Sequence, residues 1–566
     1  MISVRWHFLA LTFLFMVAVS PAFGSATNIY ITQTGAASGN CTANVQTPDF
    51  FNNAANWGSG SAQIGPGTTV LICGTFGIQQ GASGLIVNGS GTSANPIVIT
   101  FDTNAILQSN AFGGFGSPYQ AGMVINGYNY VTVDGHGTGT IQNTLNGTSG
   151  QSCLGGTCSV QQSSIGVYIH NTTGVEIKNL IIRNIYMNMN AEQNGGQSGA
   201  AWESADIYAD GPNASLNIDG NTFNDAHVGV WLSFDNGATS ANIFNNDIAH
   251  HAWHISAANG SSCSSSATIN IYGNDISNWN DWNAGGSASY HTDGIIEYTR
   301  STGCTAPTFN PQIYNNFFHG DLDGGTGSGT AHIYCSNDTG GSTSFPNSTC
   351  TVFNNVIDES AGGNSNCAAA VWVAGRGAQF YNNTIIAPLS CSKGSSYGFA
   401  FGASTQAILR NNILVNFAHF YGDPGPYGDL ATEISASNNN IFYNCTGSGS
   451  CWSFGQGNWS TLASWITSSS YDANSSTSNP LLSAGYTLGA SSPAIGSGVD
   501  LDTILNLAPC CSSITMAQAG IGLGALAYDK DLIARPQSGG WNAGALDGTG
   551  RTPSSPTNLT GIVTSN

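Results

Sequence analysis

The sequence predicts an all-β fold, a single-stranded right-handed parallel β-helix (solenoid) with N- and C-terminal caps. Three observations predict it: a phrase repeating at solenoid spacing, a composition full of turn formers, and β-branched and aromatic residues between the turns. The phrase is apolar-x-Asn-Asn-x-apolar, as in Ile243-Phe244-Asn245-Asn246-Asp247-Ile248 and Phe380-Tyr381-Asn382-Asn383-Thr384-Ile385. Taking the last Asn of each copy as marker (179, 221, 246, 274, 316, 355, 383, 412, 440), the steps are 42, 25, 28, 42, 39, 28, 29 and 28. The short steps suit one coil each, and the longer ones are coils carrying inserted loops. Asparagine tolerates the left-handed backbone of a sharp corner. Its amide can also bond the same residue one coil on, giving a ladder. The repeat count implies about ten coils.

Residues 1–24 read as a secretory signal. Arg5 supplies the positive start, residues 8–19 the apolar run, and Ala22-Phe23-Gly24 or Gly24-Ser25-Ala26 the small residues for cleavage. The run is short for a membrane span, so the mature chain is expected outside the cell. Residues 25–120 form the N-terminal cap and first coils, with strands at Asn28-Ile29-Tyr30-Ile31, at 67–76 and at Ile97-Val98-Ile99-Thr100-Phe101. Regular coils occupy 121–445. Residues 446–551 form a C-terminal capping region, with a short helix expected near Trp459 to Trp465, and 552–566 is linker-like.

Charge and cysteine usage narrow the function classes. Only 7% of residues are charged, with 10 Lys+Arg against 30 Asp+Glu. Nucleic acid binding needs basic residues that release counterions, so nucleic acid is excluded as a partner. A polyanion is disfavoured unless a metal bridges the like charges. With 41% hydrophobic residues the chain still has material for a core. The 14 cysteines fall into close pairs: Cys153 with Cys158, Cys335 with Cys350, Cys367 with Cys391 and Cys445 with Cys451. Cys41 with Cys73 and Cys263 with Cys304 are longer staples, and Cys510 and Cys511 have no obvious partners. Local disulfides in an oxidising compartment fit this better than zinc, whose structural sites show paired CxxC spacing.

Gly67-Thr68-Thr69-Val70-Leu71-Ile72-Cys73-Gly74-Thr75-Phe76 resembles the entry strand of secreted β-helix proteins of the pectate-lyase-like superfamily. The tail, Ser492-Pro493-Ala494-Ile495 with Arg535-Pro536 and Gly544-Ala545-Leu546, resembles their closing phrase, departing at Asn542-Ala543 and Leu546-Asp547. The resemblance implies the fold over nearly the whole mature chain. It implies no single activity, because such scaffolds carry lyases, hydrolases, epimerases and non-catalytic adhesins.

Strand side chains alternate in and out, and equivalent positions stack about 4.8 Å apart on adjacent coils. Aligning the strand before each turn places Tyr168, Tyr208, Trp231, His254, Ile295, His332 and Trp372 in one outward column. Such a ridge of rings suits the C–H faces of sugars. The row Tyr290-His291-Thr292-Asp293-Gly294-Ile295-Ile296-Glu297 adds His291, Asp293 and Glu297 on a shared face, with Arg300 the nearby cation. The candidate catalytic residues are therefore Asp293, His291, Glu297, His254 and His332, with Asp293 as general acid or base. Tyr168, Tyr208, Trp231, Trp372, Arg300, Asp206 and Asp210 are candidates for substrate binding. Hydrolysis needs two carboxyls roughly 5 to 9.5 Å apart. Asp293 and Glu297 are about 13 Å apart on a straight strand, and Asp206 and Asp210 lie about 14 Å away, so no convincing pair appears.

His291-Thr292-Asp293-Gly294-Ile295 resembles a phrase at the central coil of β-helix carbohydrate enzymes, without the further phrases of polygalacturonases beside it or the basic strand of pectate lyases. No cofactor is required by any motif. His250, His254, His291 and Asp293 could hold zinc, and Gly320-Asp321-Leu322-Asp323-Gly324-Gly325 calcium, neither with diagnostic spacing. The expected function is an exported, monomeric carbohydrate-active protein that binds a polysaccharide, with hydrolysis or elimination both open. The alternative is a non-catalytic adhesion or structural solenoid.

Overall fold

The computed structural model describes residues 28–547 except 117, 146–162, 187–203, 235–238, 260–266, 280–291, 300–309, 321–328, 336–349, 361–368, 390–395, 403–404, 424–429, 508, 510 and 537–539. Its strands wind into a parallel solenoid with the asparagine ladder typical of a right-handed β-helix. One wall is a 14-stranded sheet, running from Asn28–Ile31 near one end to Ile434–Asn438 at the other. A 23-stranded sheet wraps over the remaining walls, because Thr222–Phe234 and Asp247–Asn259 run through a corner without breaking. Among the described strands, pairing is parallel except where Trp452–Phe454 meets Gly457–Trp459.

The paired asparagines divide two jobs. The first of each pair takes the left-handed turn: Asn245, Asn315, Asn354, Asn382, Asn411 and Asn439 have φ between 52° and 61°. Gly220 and Gly273 occupy the same place at φ 64°, where a residue without Cβ is unstrained. The second forms the ladder. Each Nδ2 of Asn221, Asn246, Asn274, Asn316, Asn355, Asn383 and Asn412 donates to the Oδ1 of the next at 3.0–3.1 Å. Asp472 ends the ladder by accepting from Asn440 at 3.0 Å. Asn179, counted as a ladder marker from the sequence, is a turn residue at φ 53°, and its neighbour Leu180 donates its backbone N–H to Asn221 at 3.0 Å.

Inside the coils, Ile177, Ile218, Ile243, Ile271, Ile313, Val352, Phe380 and Leu409 belong to one continuous buried core. At the N-terminal end Phe51 and Trp57 close that core, from the short helix Pro48–Asn52 and just beyond it. At the other end the expected helix is present as Leu462–Ser469, with a capping box at Thr461 and Trp465 fully buried. Trp465 stacks on Trp452 at 5.9 Å, as aromatic pairs prefer. The rest of the C-terminal region folds back along the solenoid. Arg535 there donates to Asp547 at 2.6 Å and to Asn354 at 2.9 Å, locking the tail to a turn residue 181 positions away.

Cys41–Cys73, Cys335–Cys350 and Cys445–Cys451 are disulfide-bonded. Cys153, Cys158, Cys263, Cys304, Cys367, Cys391 and Cys510 lie outside the described residues. Mass mapping without reduction should recover these three linked peptides, and thiol labelling at any of the six positions would contradict them. A bond of this kind contributes roughly 2–4 kcal/mol.

Candidate functional site

The expected site grows out of the strands that follow the second corner. Hydrogen-bond register runs Tyr168, Tyr208, Trp231, Ser256, Ile296, Tyr334, Trp372 and Ala400. The sequence alignment placed His254, Ile295 and His332 where Ser256, Ile296 and Tyr334 stand. The corner itself is in phase, with Asp225 and His250 at φ 65° and 61° between the pairs Asn224–Ala249 and Ala226–His251, so the partner of Trp231 is Ser256, two residues beyond His254. A register break lies between Thr292 and Asp293.

His254 and His332 therefore do not face solvent. They share a column with Gly166, Asp206, Gly229 and Gly294. A Cβ on Gly166 would come within 2.7 Å of Ile182, and on Gly294 within 2.9 Å of Phe318, both interior residues. The column points into the solenoid, and its polar members are tied there. His251 Nε2 meets Asp206 Oδ2 at 2.7 Å, with both side chains fully buried. His254 Nε2 donates to the Ser277 carbonyl at 2.9 Å. His332 Nε2 pairs with buried Glu359 at 2.5 Å. Glu297 also turns inward, as the register partner of Ala257 and Cys335.

Burial sets the electrostatics of this interior group. It pushes the Asp206 carboxyl well above the usual carboxylate range, helped by Asp225. It drives His251 well below the usual imidazole range, with His254, His250 and His227 adding repulsion. His254 is lowered to about 4, chiefly by the same desolvation. His254 and His332 are thus held by separate buried contacts inside the solenoid, away from His250 at the corner and from Asp293. His251 and Glu359 were not among the expected residues, and Asp206, expected to bind substrate, pairs with His251 inside instead.

Asp293 lies on the other side of the wall. Its register partner Trp253 belongs to the outer aromatic cluster, and its Oδ1 accepts the Ala331 N–H at 3.2 Å. Asp293 and Glu297 thus do not share a face, and Asp293 is itself fully buried. His291 and Arg300 lie outside the described residues, as do Asp321 and Asp323 of the expected calcium loop.

The first half of the aromatic ridge is covered. Phe115 packs on Tyr208 at 4.7 Å and on Trp231 at 5.3 Å, and Tyr119 on Tyr168 at 4.8 Å. Tyr168, Tyr208 and Trp231 are only 3–7% exposed as a result. The cover comes from an earlier coil, about 50 to 115 residues upstream, which alignment of repeats does not reveal. Asp210 sits at the edge of this cluster, accepting from Tyr168 Oη at 2.9 Å and pairing with His170 at 2.6 Å. Asp206 does not join it on the surface.

Farther along, the column is less deeply buried. Tyr334 and Trp372 are half-buried, with ring centroids 6.1 Å apart and planes at 17°. Beside them the small residues Ala331, Ala369 and Ala400 leave the wall shallow. Tyr397 and His419 stack at 4.8 Å on its far side. Of the expected C-terminal ridge only Trp372 stays outward, beside Tyr334 rather than His332.

Among its described members the zinc set does not assemble. His250 sits at the corner, nearly half exposed and 3.4 Å from Asp225, while His254 points inside. Among the described residues, the donor atoms of Glu297, Cys335 and Cys350 lie within 4.8 Å of one another. Metal binding calls for thiolates, and these two sulfurs are joined in a disulfide.

No family model matches the sequence, and no curated protein matches it. Solved structures of similar shape include a PL6 family alginate lyase, at 13% identity and TM-score 0.42, covering 75% of this chain and 49% of that one. A mannuronic acid specific polysaccharide family 6 lyase from human gut microbiota matches at 12% identity and TM-score 0.41, covering 81% and 88%. A lacto-N-biosidase from Eubacterium ramulus matches at 11% and 0.34, covering 80% and 67%. The chain spans about half the length of the first. At these identities the likeness concerns the fold alone.

Proposed function

We propose that this chain is an exported carbohydrate-active protein that holds a polysaccharide across the less deeply buried part of its outer column. The observation that carries this is the Tyr334–Trp372 pair, two half-buried, nearly parallel rings on adjacent coils. Coil spacing of about 4.8 Å lets such rings support successive parts of a sugar chain lying along the axis. The column shows no Lys or Arg among its described members, which suits a neutral or weakly charged glycan. No described helix is long and apolar enough to cross a membrane.

Cleavage, in this reading, falls to Asp293 as general acid or base beside the column. One observation favours the non-catalytic alternative: Asp293, Glu297, His254 and His332 are all buried to 1% exposure or less, and the two acids face opposite sides. A polysaccharide panel assayed for binding, new reducing ends and unsaturated products separates the two. Trp372→Ala should weaken binding roughly tenfold, the scale of a buried aromatic contact. Asp293→Asn should abolish cleavage while sparing binding if the chain is an enzyme. Binding without cleavage across the panel assigns the solenoid a purely adhesive role. Unchanged binding in Trp372→Ala removes the column from the site.

A further inference from the structure

A second candidate site lies around the corner, on the neighbouring wall. There Asp358, Ile386, Val415 and Tyr443 are register partners on four consecutive coils, all pointing outward. The 479–486 segment of the C-terminal region stands over them, and between the two is a cavity of about 270 Å³. Leu482, Pro480, Ile386, Val415 and the Tyr443 ring supply an apolar side. Asp358, Asn479, Ser483 and Tyr486 supply a polar side.

The polar side is built rather than incidental. Tyr486 Oη donates to Asp358 Oδ2 at 2.6 Å, and the Ser360 N–H donates to Asp358 Oδ1 at 2.8 Å. Ser483 fixes the segment by accepting the N–H groups of Gly485 and Thr487 at 3.2 Å each. Tyr486 and Leu481 are held at φ 64° and 51°, a costly backbone for bulky residues and one that accumulates at ligand clamps. Tyr486 also packs against Phe317 at 5.5 Å, and Phe317 stacks on His319 at 4.4 Å, so an aromatic edge continues out of the cavity.

We infer that this cavity is a binding site for one pyranose ring of a neutral saccharide, separate from the Tyr334–Trp372 column. Its chemistry matches that ligand on each side. A sugar ring offers an apolar C–H face to Tyr443 and Leu482. Its hydroxyls both donate and accept, as the carboxylate, amide and hydroxyls of the rim require. The lining holds a carboxylate and no cation, so uronates and phosphates are repelled. The volume falls just below the range of about 300–1,000 Å³ that accommodates drug-sized ligands, which leaves room for one ring, not an oligomer.

The test is ligand-observed NMR and calorimetry on the full chain with glucose, galactose, mannose, N-acetylglucosamine, glucuronate and galacturonate. At least one neutral sugar should bind, and Ala484→Trp, which fills the cavity from an exposed position, should weaken it by about tenfold or more. Tyr486→Phe should weaken it several-fold with the melting temperature nearly kept, and Trp372→Ala should leave it unchanged. No neutral sugar bound, a preference for uronates, or equal affinity in Ala484→Trp would each overturn the inference. Loss of binding in Trp372→Ala with retention in Ala484→Trp would also overturn it, while leaving the Tyr334–Trp372 reading standing.

Discussion

Asn316→Ala should lower stability by about 3–5 kcal/mol, because it opens a gap in a buried ladder. The Asn316 Oδ1 accepts both the backbone N–H and the Nδ2 of Asn274, at 3.1 and 3.0 Å. Its Nδ2 donates to Asn355 Oδ1 at 3.0 Å and to the Ile271 carbonyl at 2.9 Å. Alanine removes all four bonds in a place water does not reach, and a stranded buried group costs roughly 1–3 kcal/mol. The preceding residue is the control. Asn315 is held at φ 56° for its backbone, and its side-chain atoms make no hydrogen bond among the described residues. Asn315→Gly should therefore change stability by less than about 1 kcal/mol. Guanidinium unfolding of both variants measures the contrast. Equal losses would show that the two asparagines do not divide turn and ladder between them.

That contrast explains what was legible in the sequence. A left-handed corner favours asparagine or glycine and the ladder needs the amide of asparagine, each at a fixed place once per coil, so coil and period are written into the residues. The site is different, since it depends on which way side chains point. The alignment errs by two residues at His254 and His332, and strict alternation fails within these rows, since Ile165 and Tyr168 pack outside while Val167 and Ile169 line the core. The strands through the corner vary in length, seven residues in Ser204–Asp210 against 13 in Asp247–Asn259. Chemical likeness among Trp231, His254 and His332 suggested a column that the hydrogen-bond register does not make. The side of the wall on which His254, His332 and Glu297 lie was not legible. The cover of Phe115 and Tyr119 was equally hidden, being a contact across coils. The cavity at Asp358 is closed by Tyr486, 128 residues away, and no local pattern announces such a pairing.

The internal histidines should make the protein lose stability as pH falls, with His254 carrying the slope. Its Nε2 must hold a hydrogen to donate to the Ser277 carbonyl, and the backbone of Asp293 is the other group that would favour its charged form. A second proton would make a buried charge whose desolvation outweighs those backbone contacts, which is why the folded pKa falls to about 4 from 6.5. The unfolded chain binds that proton more readily. Stability is thus full above about pH 6.5 and falls by about 3 kcal/mol as pH drops to about 4, at roughly 1.4 kcal/mol per unit. The His251–Asp206 pair behaves otherwise. Burial raises the acid and lowers the imidazole, so the folded pair holds one proton, on or shared with the carboxyl. Between about pH 4 and 6.5 the unfolded pair also holds one proton, on histidine. Equal proton counts give no slope. Unfolding free energies from pH 7 to 4 should therefore be flatter in His254→Gln than in the parent by about 3 kcal/mol. Asp206→Asn should steepen the curve, because it leaves His251 to titrate alone. Parallel curves for the parent and His254→Gln would show that this imidazole is not excluded from its proton by burial. An unchanged slope in Asp206→Asn would show that the pair does not share one.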